Sequence, residues 1–167
     1  RLAIEMDYMP TQYSEFTLHT WISDYNRLSS TRNFTLTDNE GREFGRAVSQ
    51  WCMIDYATRM PVDMNTMAKA HEGNMVDAPA PCERPRRIGV ITSEPVIEHT
   101  VVYSDIDFNS HMNTMRYIGL MVDMLDIELI KSNRPLRIDL HFMHECLYGQ
   151  LLKVGMQSVD NKTLFEI

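Results

Sequence analysis

The chain has 167 residues, of which 44% are hydrophobic and 23% are charged, and its net charge is −7. These proportions are typical of a globular protein and argue against a disordered or fibrous chain. The negative charge disfavours nucleic acid as a partner, because binding phosphates requires a basic face.

Alternating apolar and polar residues dominate the first third of the chain. Such alternation is typical of half-buried strands and predicts four β-strands, at 2–6, 14–22, 29–37 and 43–54. The stretch Asp38-Asn39-Glu40-Gly41 contains residues that tolerate turn geometry. It is expected to close a hairpin between the third and fourth strands of an antiparallel sheet.

The composition changes after the fourth strand. Five of the seven prolines lie between Pro61 and Pro95, and no sustained hydrophobic period is present there. Proline interrupts helices and central strands alike. Residues 61–92 are therefore predicted to be a linker between two parts of the chain.

The second part begins with a predicted strand at 96–103, and a helical pattern follows a polar stretch at 104–110. The stripe expected to be the buried face of this helix consists of Met115, Ile118, Val122 and Leu125. Alternation resumes beyond Pro135. It predicts strands at 136–143, at 151–159 and from 163 onward.

One long helix combined with antiparallel strands outlines a hot-dog domain, in which a curled sheet wraps a central helix. The first part of the chain has a similar run of strands without that helix. The simplest interpretation is an α+β tandem (double) hot-dog fold with one repeat at 1–60 and another at 93–167. Both repeats are expected to be incomplete, with the first repeat's helix and both chain ends missing from this sequence.

Three polar residues, Asp107, Asn109 and His111, precede the predicted helix at intervals of two. In an extended segment this spacing would point a carboxylate, an amide and an imidazole to one side. Free N–H groups at a helix start favour developing negative charge, so the arrangement suits carbonyl chemistry. The alternative is structural: Asp107 and Asn109 turn the chain, Ser110 or Asn113 caps the helix, and His111 is a surface residue.

Three segments resemble the plant and bacterial acyl-acyl-carrier-protein thioesterases, and together they span nearly the whole chain. The segment at 104–125, SDIDFNSHMNTMRYIGLMVDML, is similar to the family's Asp-x-Asn-x-His motif, followed by a second Asn and a helical Tyr-Ile. The segment at 20–64 is similar to the family's first repeat, with its Trp, Arg-x-Asn-Phe and Asp-x-x-x-Arg-x-Pro. HECLYGQLL at 144–152 resembles the second-repeat stretch in which a Glu precedes a Cys.

The resemblance implies a catalytic set made of Asp107, Asn109, His111 and Glu145, with Cys146 at a position once proposed as a nucleophile in that family. Two departures lie beside this set. Ser110 stands where the family usually has Gly or Gln, and Thr114 stands where it has a second Asn. Neither change removes a group that can transfer a proton.

Two mechanisms are compatible with these residues. In the first, Glu145 helped by His111 takes a proton from water, Asp107 orients its neighbours, and Asn109 with helix-start N–H groups stabilises the oxyanion. In the second, Cys146 attacks as a thiolate with His111 as its base. The first is preferred, because adjacent residues on a predicted strand point to opposite faces, which would separate Cys146 from Glu145.

The resemblance further implies hydrolysis of fatty acyl-acyl carrier protein (acyl-ACP) in fatty acid biosynthesis, releasing free fatty acid and holo-ACP. The expected partner is acyl carrier protein with a phosphopantetheine-linked fatty acyl chain, and neither a cofactor nor a metal is expected. Two alternatives stay open: a hot-dog thioesterase acting on acyl-coenzyme A, and a non-catalytic module that binds acyl groups or acyl carrier protein. Whether the chain forms a homodimer also stays open, because a tandem repeat can pair its two sheets internally and need not dimerise.

The expected location is the cytoplasm, most simply the bacterial cytosol. No stretch approaches the roughly 18 apolar residues that a membrane span needs. Cys52, Cys82 and Cys146 are widely spaced, and neither a disulfide framework nor a metal-binding pair is indicated. We expect them to be free thiols.

Overall fold

The computed structural model describes residues 1–66, 73, 75–91 and 94–167. Parts of the predicted linker, namely 67–72, 74 and 92, lie outside the described residues. Contacts divide the chain into two compact units. The first comprises Arg1–Ile88 with Asn133–His141, and the second comprises Gly89–Ser132 with Phe142–Ile167.

Antiparallel strands account for most of the regular structure. In chain order the strands are β1 (Leu2–Met6), β2 (Phe16–Tyr25), β3 (Ser30–Asp38), β4 (Glu43–Trp51), β5 (Pro95–Thr100), β6 (Leu136–Leu140), β7 (Leu151–Val159) and β8 (Lys162–Glu166). A 3-10 helix (Tyr103–Asp105) and the α-helices α1 (Thr114–Asp123) and α2 (Ile127–Lys131) lie between β5 and β6. No helix in the described part of the chain is long and apolar enough to cross a membrane.

The first unit contains a five-stranded antiparallel sheet with the strand order β2-β3-β4-β1-β6. Strands β1 to β4 confirm the four strands predicted from alternation, and their ends differ from the predicted ones by up to three residues. The predicted hairpin between β3 and β4 is also confirmed. Asp38 accepts hydrogen bonds from the N–H groups of Glu40 and Arg42, both at 2.9 Å, and Gly41 adopts a φ of 79° that a side chain would disfavour.

The two faces of this sheet differ in burial. Ala3, Val48 and Asn33 are neighbours on one face, and each is fully buried. The opposite face is apolar, and it borders a cavity of about 260 Å³ whose lining includes Ile4 and Phe34. Period-two alternation in β1 and β3 therefore separates a covered face from an open one among the described residues.

Strand β6 lies in the first unit, whereas we expected the strand after Pro135 to run with the second repeat. It pairs with β1 along its whole length, from Met6 opposite Leu136 to Leu2 opposite Leu140. Alternation predicts that a segment forms a strand, but it does not say which strand becomes its neighbour. The observed pairing therefore departs from the assignment of this strand to the repeat at 93–167.

The second unit contains a three-stranded antiparallel sheet with the order β5-β7-β8. Val101, Met112 and Leu152 form its buried cluster, and Tyr117 and Leu120 of α1 pack against them. The predicted stripe is not the face that packs against this cluster, although two of its members, Ile118 and Leu125, are half-buried. Its first member, Met115, is 65% exposed, and the packed face of α1 lies on the side of Tyr117 and Leu120 instead.

Candidate active site

Asp107, Asn109 and His111 lie on a tight turn, not on the extended segment expected from their spacing. Ile106 and Met112 form a bridge across the base of this turn, which we call the His111 turn and define as residues 106–112. The N–H of Ser110 donates to the carbonyl of Asp107 at 3.0 Å, and Ser110 has a φ of 65°. A residue with a side chain is uncommon at that φ, so Ser110 marks a tight point of the turn.

The carboxylate of Asp107 is directed into the turn. Its Oδ1 accepts hydrogen bonds from the N–H groups of Asn109 at 2.8 Å and His111 at 3.3 Å. This is the side-chain-to-backbone bonding by which Asp organises turns. Asp107 thus holds the backbone of the turn, and Asn109 is exposed at its tip.

His111 and Glu145 are brought together. The imidazole Nε2 lies 3.2 Å from the Glu145 Oε2, with the two side chains 27% and 43% exposed. Backbone pairing explains this proximity: His111 forms a bridge with Leu147, and the N–H of Met112 donates to the carbonyl of Cys146 at 2.8 Å. The pair is close enough for a hydrogen bond and open enough for water to enter.

Cys146 takes a different environment from its neighbour Glu145. Cys146 is partly buried against the cluster of Val101, Met112 and Leu152, whereas Glu145 is exposed. The segment from 141 to 146 is irregular, so the predicted strand through these residues is wrong. The expected separation of the two side chains nevertheless holds, because one contacts the imidazole and the other packs inward.

Tyr117 contacts Cys146 from α1. Burial raises the pKa of Tyr117 above its ordinary range, and the side-chain hydrogen bond with Cys146 raises it further. Tyr117 therefore remains a neutral phenol, and the Cys146 side chain is engaged by the helix that packs over it.

The start of α1 is capped. The side chain of Asn113 accepts a hydrogen bond from the N–H of Met115 at 2.8 Å, and its own N–H donates to the carbonyl of Asp105 at 2.8 Å. This is the role that the structural alternative gave to Asn113. It is compatible with the catalytic interpretation, because the capped helix start lies directly after the His111 turn.

Asp105 is a residue that the sequence reasoning missed. Its side chain has no solvent exposure, yet its carboxylate receives the N–H of Val102 at 2.9 Å and lies 2.7 Å from both His99 Nε2 and Arg116 Nε. Burial acts to raise its pKa, but these hydrogen bonds outweigh burial and bring the pKa to about 2. Only the Ser-Asp that opens the motif at 104–105 could have drawn attention to it, since its partners lie at unrelated spacings.

Within residues 1–66, 73, 75–91 and 94–167, no three His, Cys, Asp or Glu side chains come together as possible ligands of one ion.

Two family models cover most of the chain. Residues 1–70 match the acyl-ACP thioesterase N-terminal domain, and residues 91–167 match the acyl-ACP thioesterase C-terminal domain. The chain belongs to the acyl-ACP thioesterase family. The second match contains the whole His111 turn and Glu145, so the predicted site lies in a segment shared with this family.

Curated relatives extend the similarity. The chain is 24% identical over 170 residues to the chloroplastic acyl-[acyl-carrier-protein] hydrolase FATB1 of Cuphea viscosissima, covering 96% of this chain and 40% of that protein. It is 26% identical over 162 residues to the chloroplastic oleoyl-acyl carrier protein thioesterase 1 of Arabidopsis thaliana, covering 87% of this chain and 43% of that protein. The chain therefore spans about two fifths of the length of the curated relatives it matches.

Solved structures confirm the fold class. An acyl-ACP thioesterase from Bacteroides thetaiotaomicron is 36% identical with a TM-score of 0.81, and the match covers 96% of this chain and 65% of that one. The 12:0-ACP thioesterase from Umbellularia californica is 15% identical with a TM-score of 0.79, covering 98% of this chain and 67% of that one. The predicted α+β tandem hot-dog fold of the acyl-ACP thioesterase family is thus confirmed.

Proposed function

We propose that this acyl-ACP thioesterase family member hydrolyses the thioester of fatty acyl-ACP, releasing free fatty acid and holo-ACP in fatty acid biosynthesis. The observation that carries the proposal is the 3.2 Å distance between His111 Nε2 and Glu145 Oε2 in a partly open setting. The names of the relatives, which describe acyl-ACP hydrolases and thioesterases, support the choice of substrate.

In the proposed reaction, water attacks the carbonyl carbon of the thioester while Glu145 takes a proton from that water. His111, within hydrogen-bonding distance of Glu145, holds the carboxylate and balances its charge as the proton moves. The tetrahedral intermediate then collapses with cleavage of the carbon–sulfur bond, and Glu145 returns the proton to the departing pantetheine thiolate. Asn109 is the proposed donor to the oxyanion, because the N–H of Met115 at the start of α1 is already bonded to the Asn113 cap.

The environment of Cys146 supports the water route over an acyl-enzyme. A nucleophilic thiol must reach the substrate and be deprotonated by a base. Cys146 instead packs against the core, while the neighbouring Glu145 is the group that contacts His111. We therefore assign Cys146 a packing role.

Purified protein assayed with one acyl chain on acyl carrier protein and on coenzyme A tests both the reaction and the carrier. Release of fatty acid with a higher kcat/KM for the carrier protein supports the proposal. A preference for coenzyme A would support the acyl-coenzyme A alternative, and tight binding of acyl carrier protein without turnover would support the non-catalytic module.

Three variants test the assignment of roles. Glu145→Gln keeps the shape of the side chain and should lower kcat about 100-fold or more, as expected for loss of a general base. Cys146→Ala should retain turnover within about tenfold, because only packing is lost. Glu128→Gln, at a well-exposed ion pair with Lys131 on α2, is the matched control and should leave kcat unchanged. Loss of turnover in Cys146→Ala with retention in Glu145→Gln would reverse the assignment.

We propose the cytoplasm as the location, and the free thiols Cys52, Cys82 and Cys146 suit its reducing conditions.

A homodimer is a further proposal. Its support is that β2 lies at an edge of the five-stranded sheet, where a second copy could pair beyond the bridge that Ile22 already forms with Met75. Light scattering that gives twice the monomer mass would support the dimer, and the monomer mass would exclude it.

A further inference from the structure

Asp105 joins three segments that converge next to the His111 turn. His99 belongs to β5, Val102 precedes the 3-10 helix, and Arg116 lies in the first turn of α1. All three direct a nitrogen to the same carboxylate, at distances between 2.7 and 2.9 Å. Because all three hydrogen bonds end on the Asp105 carboxylate, a substitution of Asp105 removes the contact to all three segments at once.

The main chain of Asp105 is also tied to the base of the His111 turn. Its carbonyl accepts the N–H of Asn113 at 2.8 Å, and the following residue, Ile106, forms the bridge with Met112. Asp105 and Asn113 therefore stand immediately outside the two ends of the turn. Fixing these positions limits the directions in which the turn can carry the His111 imidazole.

We propose that Asp105, held by His99 and Arg116, is a positioning residue that orients His111 towards Glu145. This inference rests on the proposed function, because it assigns Asp105 a part in the same reaction. Asp105 does not touch the reacting atoms. It acts by setting the distance between the imidazole and the carboxylate, and a displacement of about 1 Å at a reacting group can lower a rate about 100-fold.

The hydrogen bonds around Asp105 suit a residue that holds the His111 turn in one position at all times. A buried carboxylate without partners would be costly, but three nitrogen partners satisfy this one: the Val102 N–H, the His99 ring and the Arg116 guanidinium. Its lowered pKa keeps the group ionised throughout the neutral range, so the support does not weaken with ordinary changes in pH.

A purely structural cross-link between β5 and α1 is the competing explanation. Such a link would lower the melting temperature when broken, without a specific effect on the chemical step. A positioning role predicts a fall in kcat at an unchanged KM, in protein that remains folded.

Arg116 offers the most direct test, because its side chain is 48% exposed and its loss leaves the other two bonds to Asp105 in place. In the protein as its gene encodes it, Arg116→Met should lower kcat about tenfold with KM changed less than about twofold. Arg116→Lys should recover kcat to within about threefold, because an ammonium can still donate to the carboxylate. The control Lys153→Met removes a cation that is 62% exposed, in the same unit, and should leave kcat unchanged.

A double-variant cycle isolates the route through His111. If Arg116 and Asp105 act only by orienting the imidazole, Arg116→Met should have no further effect on the residual rate of His111→Ala. A tenfold loss in both backgrounds would overturn the proposal, because the effect would not depend on His111. An unchanged kcat in Arg116→Met and Asp105→Asn would also overturn it.

Nuclear magnetic resonance of the His111 ring provides a readout that does not require turnover. Arg116→Met should shift the ring resonances of His111, and Lys153→Met should leave them in place. If the wild-type protein releases no fatty acid, the proposed function fails, and the ring resonances still decide the positioning role. Resonances that are identical in wild type and Arg116→Met would overturn it.

Discussion

The lowered pKa of Asp105 predicts a specific dependence of stability on acid. The pKa falls from an ordinary value of 3.8 to about 2 in the folded protein. Because the folded value is the lower one, the carboxylate contributes stability that is fully present above the unfolded pKa and is lost as the pH falls through the folded pKa. The shift corresponds to about 2 kcal/mol at neutral pH, of which about half remains near pH 3.

Asp105→Asn reproduces the shape of the protonated side chain and cannot ionise. We expect its free energy of unfolding to lie below that of wild type by about 2 kcal/mol at neutral pH. The difference should shrink below about 0.5 kcal/mol near pH 2, where the carboxyl is about half protonated in the folded protein and almost fully protonated in the unfolded chain. The Asp105 side chain is buried, but its partner Arg116 is 48% exposed, so screening by solvent makes about 2 kcal/mol an upper limit.

Urea unfolding followed by circular dichroism, repeated at intervals between about pH 7 and pH 2, measures this difference. Asp123→Asn, at an exposed position of α1, corrects for the loss of one negative charge. A gap between wild type and Asp105→Asn that is the same near pH 3 as at neutral pH would refute the reasoning. It would mean that the cost arises from shape and not from the ionised carboxylate.

Three further variants probe other features. Asn113→Ala should lower the free energy of unfolding by about 1 kcal/mol through loss of the cap of α1, and an unchanged urea midpoint would contradict this. Asp107→Asn, which keeps an oxygen acceptor for the His111 turn, should retain more kcat than Asp107→Ala; equal losses would indicate that charge, not turn geometry, matters. Gly45→Ala should cost about 1 kcal/mol in thermal unfolding, since its Cβ would stand 2.7 Å from Met6 Sδ, and a neutral result would mean that the flexible side chain moves aside.

Local patterns were good guides wherever a single segment determines its own conformation. The alternation in β1 to β4 and the turn at 38–41 could be predicted because side-chain period and turn chemistry are properties of neighbouring residues. The proximity of His111 and Glu145, in contrast, could be inferred only through resemblance to a family. Nothing in the spacing of two residues 34 positions apart specifies that they meet.

The failures have a common physical origin in tertiary context. Spacing by two suggested an extended segment for Asp107, Asn109 and His111, but the Asp107 carboxylate binds the backbone N–H groups and closes a turn instead. The helical stripe starting at Met115 was plausible by period, but Tyr117 and Leu120 lie over the core. Asp105 was overlooked because its burial depends on His99 and Arg116, which no local pattern connects to it.

The pairing of β6 with β1 has a consequence for how the chain folds as it is synthesised. Glu5 and Arg137, which bond across these strands, are 132 positions apart in sequence. β1 can therefore pair with β4 early, but its other edge stays uncovered until the segment at 136–140 has left the ribosome. During that interval β1 presents unpaired backbone groups to other chains, so β6 both completes the sheet and ends a period of vulnerability to aggregation.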